Sequence, residues 1–279
     1  MGTSANRKGP KPSIPLLPDW MDEEPADENP NQQPEDSDYD EEPDGEGGEE
    51  APNPTETPSA NRFNQSQRGF QKAVKSGDTS GLKRVVKNYV SQGLGNTRKA
   101  AQRMSRSGGA IVTFGTVLGN IRQNGLAATL THLQLGQYVG QPALQVLSAL
   151  LVHVCGASAL LDDAITKEAY KETVTRIIDE SPDLDLENLT EAQTGEMLAI
   201  FLEESIVYRL ICDIGRSQTV ATSDPARAIE VEQEIYQIVN GMVHSSIVPE
   251  LTKAMSDPAN LNREIQRIYR VAFDAINNS

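Results

Sequence analysis

The stretch ALQVLSALLVHVCGASALL, residues 143–161, decides how the chain is read. It holds nineteen largely apolar residues, and from Gln123 to Leu161 there is no Asp, Glu, Lys or Arg. A membrane-spanning helix needs about twenty such residues, so length alone would permit one. Gln145, Ser148, His153 and Ser158 dilute the run, and its flanks carry neither a basic anchor nor an aromatic belt. The stretch therefore reads as a buried helix around residues 142–155, the central element of a soluble bundle, with no membrane contact.

Outward from it the pattern is helical almost everywhere. Leu82, Val85, Val86, Tyr89 and Val90 recur at the spacing of one helix face, with Lys83, Arg84 and Lys87 opposite. Val231, Ile235, Ile238, Val239 and Met242 repeat that stripe behind Asp224 and Pro225, a cap followed by proline at the first helical position. Asp257 and Pro258 do the same for a last helix with Leu261, Ile265, Ile268, Tyr269, Ala272 and Ile276 inside. Thr190 and Gln193 form a capping box ahead of GEMLAIFLEESIVYRLI, residues 195–211. AIVTFGTVLGNI, residues 110–121, alternates enough to pass for a strand, but its glycines favour a close-packed helix. The expected fold is all-α: a globular bundle of seven to nine helices behind a disordered, acidic, Pro-rich N-terminal tail.

Charge divides the 279 residues into blocks. Residues 1–18 carry +3, residues 19–61 carry −17, residues 62–109 carry +10 and residues 110–279 carry −11. The acidic block has too few large apolar side chains to offset the entropy of ordering it. Three parts follow: a recognition peptide at 1–20, a disordered linker at 21–61 and a helical domain at 62–279, basic over 62–109. Cys155 and Cys212 lie in apolar stretches without CxxC spacing and read as buried, reduced thiols of a cytoplasmic protein. The N-terminus lacks the apolar core of a secretory signal, and Asn6 stands where myristoylation wants Ser or Thr.

Catalytic chemistry is hard to place. The histidines His132, His153 and His244 show no metal-ligand spacing, and His153 on an apolar stretch reads as a core residue. Asp162–Asp163 and Glu203–Glu204 are adjacent pairs, which point in different directions on a helix and read as solvated faces. GLGNTRKA, residues 93–100, lacks the cradle and preceding strand of a phosphate loop. No nucleophile elbow or kinase signature is present. The expectation is a protein that is not an enzyme and holds no metal or cofactor.

In the basic block, Lys99, Arg103 and Arg106 share a helical face if TRKAAQRMSRSGG, residues 97–109, is one helix. Three uses are open: phosphate contacts with nucleic acid, docking of the acidic tail or a protein, or an ordinary solvated face.

The N-terminal peptide MGTSANRKGPKPSIPLLPDW, residues 1–20, is too particular for a solubilising tail. Pro15, Leu16, Leu17, Pro18 and Trp20 make an extended peptide with apolar anchors, suited to a groove. Gly2 is small enough for the initiator Met to be removed, which would expose an α-amine with a pKa of about 7.7–8.0. MGTS at the start, Gly9–Pro10, PLLPDW at 15–20, an acidic Pro-rich linker and a helical body together resemble the QatB family, the small component of bacterial Qat anti-phage systems. The resemblance implies three neighbours: a QueC-like enzyme, a KAP-type P-loop ATPase and a TatD-like nuclease. It also suggests that the QueC-like enzyme joins a deazaguanine to the Gly2 amine, with Thr3 and Ser4 entering its active site and Leu16, Leu17 and Trp20 gripping outside it. Two other readings stand beside it: an adaptor that docks without covalent chemistry, and a nucleic-acid sensor using Lys99, Arg103 and Arg106.

Overall fold

Thr190 and Gln193 set the start of the helix on which the body is built. The Thr190 N–H donates to Gln193 Oε1 at 2.9 Å, and the Gln193 N–H donates to Thr190 Oγ1 at 3.1 Å. This reciprocal box satisfies two of the donors that a helix start leaves open. It opens α9 (Glu191–Gly215). The computed structural model describes residues 62–158, 160–215, 225–255 and 260–279, and every regular element among them is helical.

Helix α9 is buried nearly all round, from Met197 to Leu210. It is packed by α1 (Asn64–Ser76), α4 (Ser105–Asn124), α8 (Leu161–Glu180) and α10 (Pro225–Ala254). A helix apolar on every side has no face to give to water, so it takes the centre. Phe114 of α4, Tyr170 of α8 and Phe201 of α9 meet edge to face, with centroids 5.3–6.1 Å apart.

The remaining elements are α2 (Leu82–Asn88) with a following π turn (Tyr89–Gly93), α3 (Thr97–Arg103), α5 (Leu126–His132), α6 (Ala143–Ala149), α7 (Leu151–Cys155) and α11 (Leu261–Asn278). The all-α class stands, cut into eleven α-helical segments among the described residues rather than seven to nine. Both amphipathic stripes face inward: Leu82, Val85, Val86, Tyr89 and Val90 are buried, as are Val231, Ile235 and Val239. The whole predicted inner face of α11 is buried too. Helix α10 begins at Pro225; its predicted cap Asp224, and Asp257–Pro258 before α11, lie outside the described residues. Residues 110–121 are helical, and a Cβ on Gly115 would come within 3.1–3.3 Å of Leu261, Leu198 and Met255, which is why glycine stands there.

The most apolar stretch is not central, contrary to the reading of residues 142–155. It breaks at Leu150 into α6 and α7, and Gly156 (φ 76°) ends α7. Val146, Leu147, Leu150, Val154 and Cys155 face the core, whereas Leu144, Gln145, Ser148, Val152 and His153 face out. Gln145, Ser148 and His153, which diluted the run, mark the solvent side of two short peripheral helices. No helix among the described residues is long and apolar enough to cross a membrane.

Candidate functional site

Buried charge concentrates on α9 and its neighbours. Glu203 and Glu204, expected on a solvated face, are almost fully buried. Adjacent residues on a helix diverge by about 100°, and here they diverge into two packed neighbours. Glu204 accepts from Nε of Arg176 on α8. Glu203 accepts from Nδ2 of Asn240 at 3.0 Å and lies 2.9 Å from Nδ1 of His244, both on α10. His244 also reaches Glu196, 3.2 Å from its Nε2. Burial pushes the Glu204 carboxyl up to about 7, with Arg176 opposing the shift, and raises Glu203 in the same direction.

A second polar seam joins α3 and α4 to α8 and α9. Arg103 clamps Asp213 through two bonds, Nη2 to Oδ1 at 2.7 Å and Nε to Oδ2 at 3.1 Å. The Tyr89 hydroxyl donates to the same Oδ2 at 2.9 Å. Helix α3 ends at Arg103, so Arg106 lies on α4, where it pairs with Asp163; the expected common face of Lys99, Arg103 and Arg106 is broken at Met104. Lys99 stays exposed, its backbone N–H donated to the Asn96 cap at 2.8 Å. Asp163 is buried, contrary to the solvated reading, and a Ser158 hydrogen bond, then Arg106, hold it below the usual carboxylate range. Asp162 does face solvent, yet it accepts from Nη1 of the buried Arg209 at 2.7 Å. The Nε and Nη2 of Arg209 have no acceptor among the described residues.

Arg106 also lines an open cleft of about 350 Å³ with Ser105, His153 and Cys155. His153 is exposed there, not a core residue, because it falls on the outer side of α7. Cys155 is a buried free thiol pushed up to about 12 by burial, so it is not poised as a nucleophile; Cys212, expected buried, is half-buried and also free. Among the described residues no three His, Cys, Asp or Glu side chains stand where they would hold a metal ion.

Chemically, these groups are arranged to hold helices together. Each buried carboxylate already faces a cation or a hydrogen-bond donor on another helix. Arg176, Tyr236, Asn240, Arg209 and Asp213 were not picked out from the sequence. The available signal was FLEESIVYRL, residues 201–210, where charges interrupt a helix apolar all round and so must be buried. A different surface is unpaired in another sense: Val139, Leu144, Val152, Leu160 and Leu161 are all exposed, on consecutive elements from the turn before α6 to the start of α8. The N-terminal residues Gly2, Thr3, Ser4, Gly9, Pro10, Pro15, Leu16, Leu17, Pro18 and Trp20 lie outside the described residues, as does the linker.

A family model described as Qat anti-phage system associated protein QatB matches residues 95–276, from the loop before α3 into α11. The match thus lies in the body, apart from the N-terminal peptide that carried the resemblance. No curated protein and no solved structure matches the chain.

Proposed function

The chain belongs to the QatB family of Qat anti-phage system associated proteins, and from that premise we propose that it is a non-enzymatic component whose N-terminal peptide is the substrate of a QueC-like enzyme. Residues 1–20 carry this reading: a small residue at Gly2, then a proline-spaced peptide ending in the only Trp of the chain. The enzyme would activate the carboxylate of a carboxy-deazaguanine by attack on the α-phosphorus of ATP, giving an acyl adenylate and releasing pyrophosphate. The unprotonated Gly2 α-amine attacks that carbonyl, an amide forms, AMP leaves and the amine loses a proton. Leu16, Leu17 and Trp20 hold the peptide outside the active site while Thr3 and Ser4 enter it. If the linker behaves as its composition implies, as a random coil of some forty residues, its root-mean-square reach would be about 30–40 Å, enough for the peptide to visit an enzyme while the helical domain stays bound elsewhere. The KAP-type ATPase and the TatD-like nuclease are the other proposed partners.

Mass spectrometry of the chain co-expressed with its QueC-like neighbour is the direct test. The expected result is one added deazaguanine acyl group on Gly2, absent from Gly2→Pro. An unmodified N-terminus, together with full defence by Gly2→Pro, would overturn the modification reading.

A second reading, nucleic-acid binding by the basic block, is favoured by one observation. Lys72, Lys75, Lys83, Arg84 and Lys99 all keep solvent exposure. Phosphate contacts would make affinity fall steeply with salt, which gel shifts over a salt series measure.

A further inference from the structure

We infer that the outer side of α1 and α2 is a docking surface for duplex DNA, held through its phosphates without reading its sequence. The inference rests on the nucleic-acid reading above and names its ligand and its surface. Arg68, Lys72 and Lys75 recur at four and three residues, so they share one face of α1, and all three are exposed. Lys83 and Arg84 are exposed on α2, which packs against α1, the Ser66 hydroxyl donating to the Val85 carbonyl at 3.2 Å. Lack of partners sets these cations apart. Beyond residue 110, Arg122, Lys171, Arg176, Arg209, Arg227 and Arg267 each hold a carboxylate. Among the described residues no carboxylate pairs with any of the five on α1 and α2. Carboxylates do stand on the surrounding elements. Asp78, in the turn between the two helices, accepts from the Ser80 N–H at 3.0 Å. The neighbouring α10 carries Glu230, Glu232 and Glu234, the first of them taken by Arg227, and α11 carries Asp274.

The chemistry of the face narrows its occupant. A folded protein partner is gripped by apolar and aromatic side chains at the centre of the contact, whereas the outer face of α1 shows Gln65, Arg68, Lys72, Lys75 and Ser76. An acidic polypeptide of the composition of residues 19–61 pays the entropy of being ordered; a stiff duplex does not, and it also releases condensed counterions. A single strand needs exposed rings on which its bases stack. In this block Phe70 and Tyr89 are buried, and Phe63 is stacked on Tyr89 with Arg62 over its ring. A polar, strongly cationic surface without rings is what a duplex backbone requires. An α-helix enters the major groove of B-form DNA, about 12 Å wide, while the deep, narrow major groove of an RNA duplex keeps it out. The positive charge of the body is gathered where these helices stand, +10 over residues 62–109 against −11 over residues 110–279, so a polyanion is drawn to this side.

Fluorescence anisotropy of the full chain with a labelled DNA duplex, the matching RNA duplex and the DNA single strand, each over a salt series, tests the inference. Two DNA duplexes of unrelated sequence should bind within about threefold of each other, since phosphate contacts carry no sequence information. The RNA duplex and the single strand should bind at least about tenfold more weakly. Arg68→Ala/Lys72→Ala/Lys75→Ala should lower the slope of log affinity against log salt by about two to three units. All three positions face solvent, so helical content by circular dichroism should not change. Failure to bind any of the nucleic acids would overturn both the inference and the reading it rests on. A preference for RNA or the single strand, a strong dependence on DNA sequence, or a slope that the triple variant leaves unchanged would overturn the inference alone. So would DNA binding that appears only after the carboxylates of residues 35–50 are changed to amides, since the face would then belong to the acidic segment. The wild-type comparison of the three nucleic acids decides the matter even if the variant fails to fold.

Discussion

The guanidinium of Arg176 sits over the ring of Tyr236, 3.3 Å from its centroid, while its Nε donates to Glu204. One side chain from α8 thereby engages a carboxylate on α9 and an aromatic ring on α10. The arrangement combines a cation–π contact with a charge-assisted hydrogen bond in a largely desolvated place. Removing Arg176 leaves Glu204 buried beside an empty site. Arg176→Ala should therefore cost about 3 kcal/mol at pH 8. The loss should be smaller at pH 6, where Glu204 relieves the unpaired charge by taking a proton. Urea denaturation at the two pH values measures both.

The unmutated protein should itself respond to pH through this site. Glu204 titrates at about 7 when folded, against 4.5 for an ordinary Glu. Between those values the folded state binds the extra proton, so stability falls as pH rises from about 4.5 through about 7. Glu203 is raised by burial and adds in the same sense. Asp163, Asp185 and Glu250 are lowered and act at the other end, their contributions disappearing as pH drops below the ordinary carboxylate range. A stability maximum on the acid side of neutrality follows. Glu204→Gln should flatten the slope above that maximum, by on the order of 3 kcal/mol across the window, in urea titrations over a pH series.

These pairs also show what a sequence discloses and what it does not. The stripe from Leu82 to Val90, the inner face of α11 and the box of Thr190 and Gln193 are legible because each is a local pattern that the helix period turns into geometry. Position within the bundle is not local. Residues 143–161 are more apolar than α9 per residue, yet α9 is central because it is long, unbroken and apolar on every side. Gln145, Ser148 and His153 give the shorter helices α6 and α7 an outer face. The partner of a buried charge is less local still: Glu204 is 28 residues from Arg176 and Asp213 is 110 from Arg103. The charges were visible and their partners were not. The reading of residues 1–20 rests on residue identity alone, since they lie outside the described residues.

Helix α9 approaches α10 closely at Gly195, where a Cβ would fall 2.3 Å from Thr252 Oγ1 and 3.1 Å from the Thr252 backbone. A rotating hydroxyl could move, but the backbone contact requires the helices to part. Gly195→Ala should cost about 1–3 kcal/mol through overpacking. Gly109 on α4 makes the matched comparison, since it is exposed and no atom of another described element lies within 4 Å of its Cβ position. There alanine gains helix propensity and meets no obstacle, so Gly109→Ala should stabilise by about 0.5–1 kcal/mol. Thermal melts of the two variants should move in opposite directions.

The basic residues singled out around α3 should separate in the same way. Arg103 is one-third exposed, but Asp213 is only 11% exposed and depends on Arg103 and Tyr89 for its hydrogen bonds. Arg103→Ala should cost about 2 kcal/mol, a figure between those of a surface and a buried pair because solvent still screens the guanidinium. Lys99 projects from the same short helix into solvent, and Lys99→Ala should stay within about 0.5 kcal/mol of the parent. The contrast assigns any phosphate contact as well. A guanidinium committed to both oxygens of Asp213 has to release that carboxylate before it can reach a phosphate, whereas the Lys99 ammonium can do so at once. In gel shifts over a salt series, Lys99→Ala should then reduce the slope of log affinity against log salt by about one unit. Arg103→Ala should leave that slope unchanged while lowering the melting temperature.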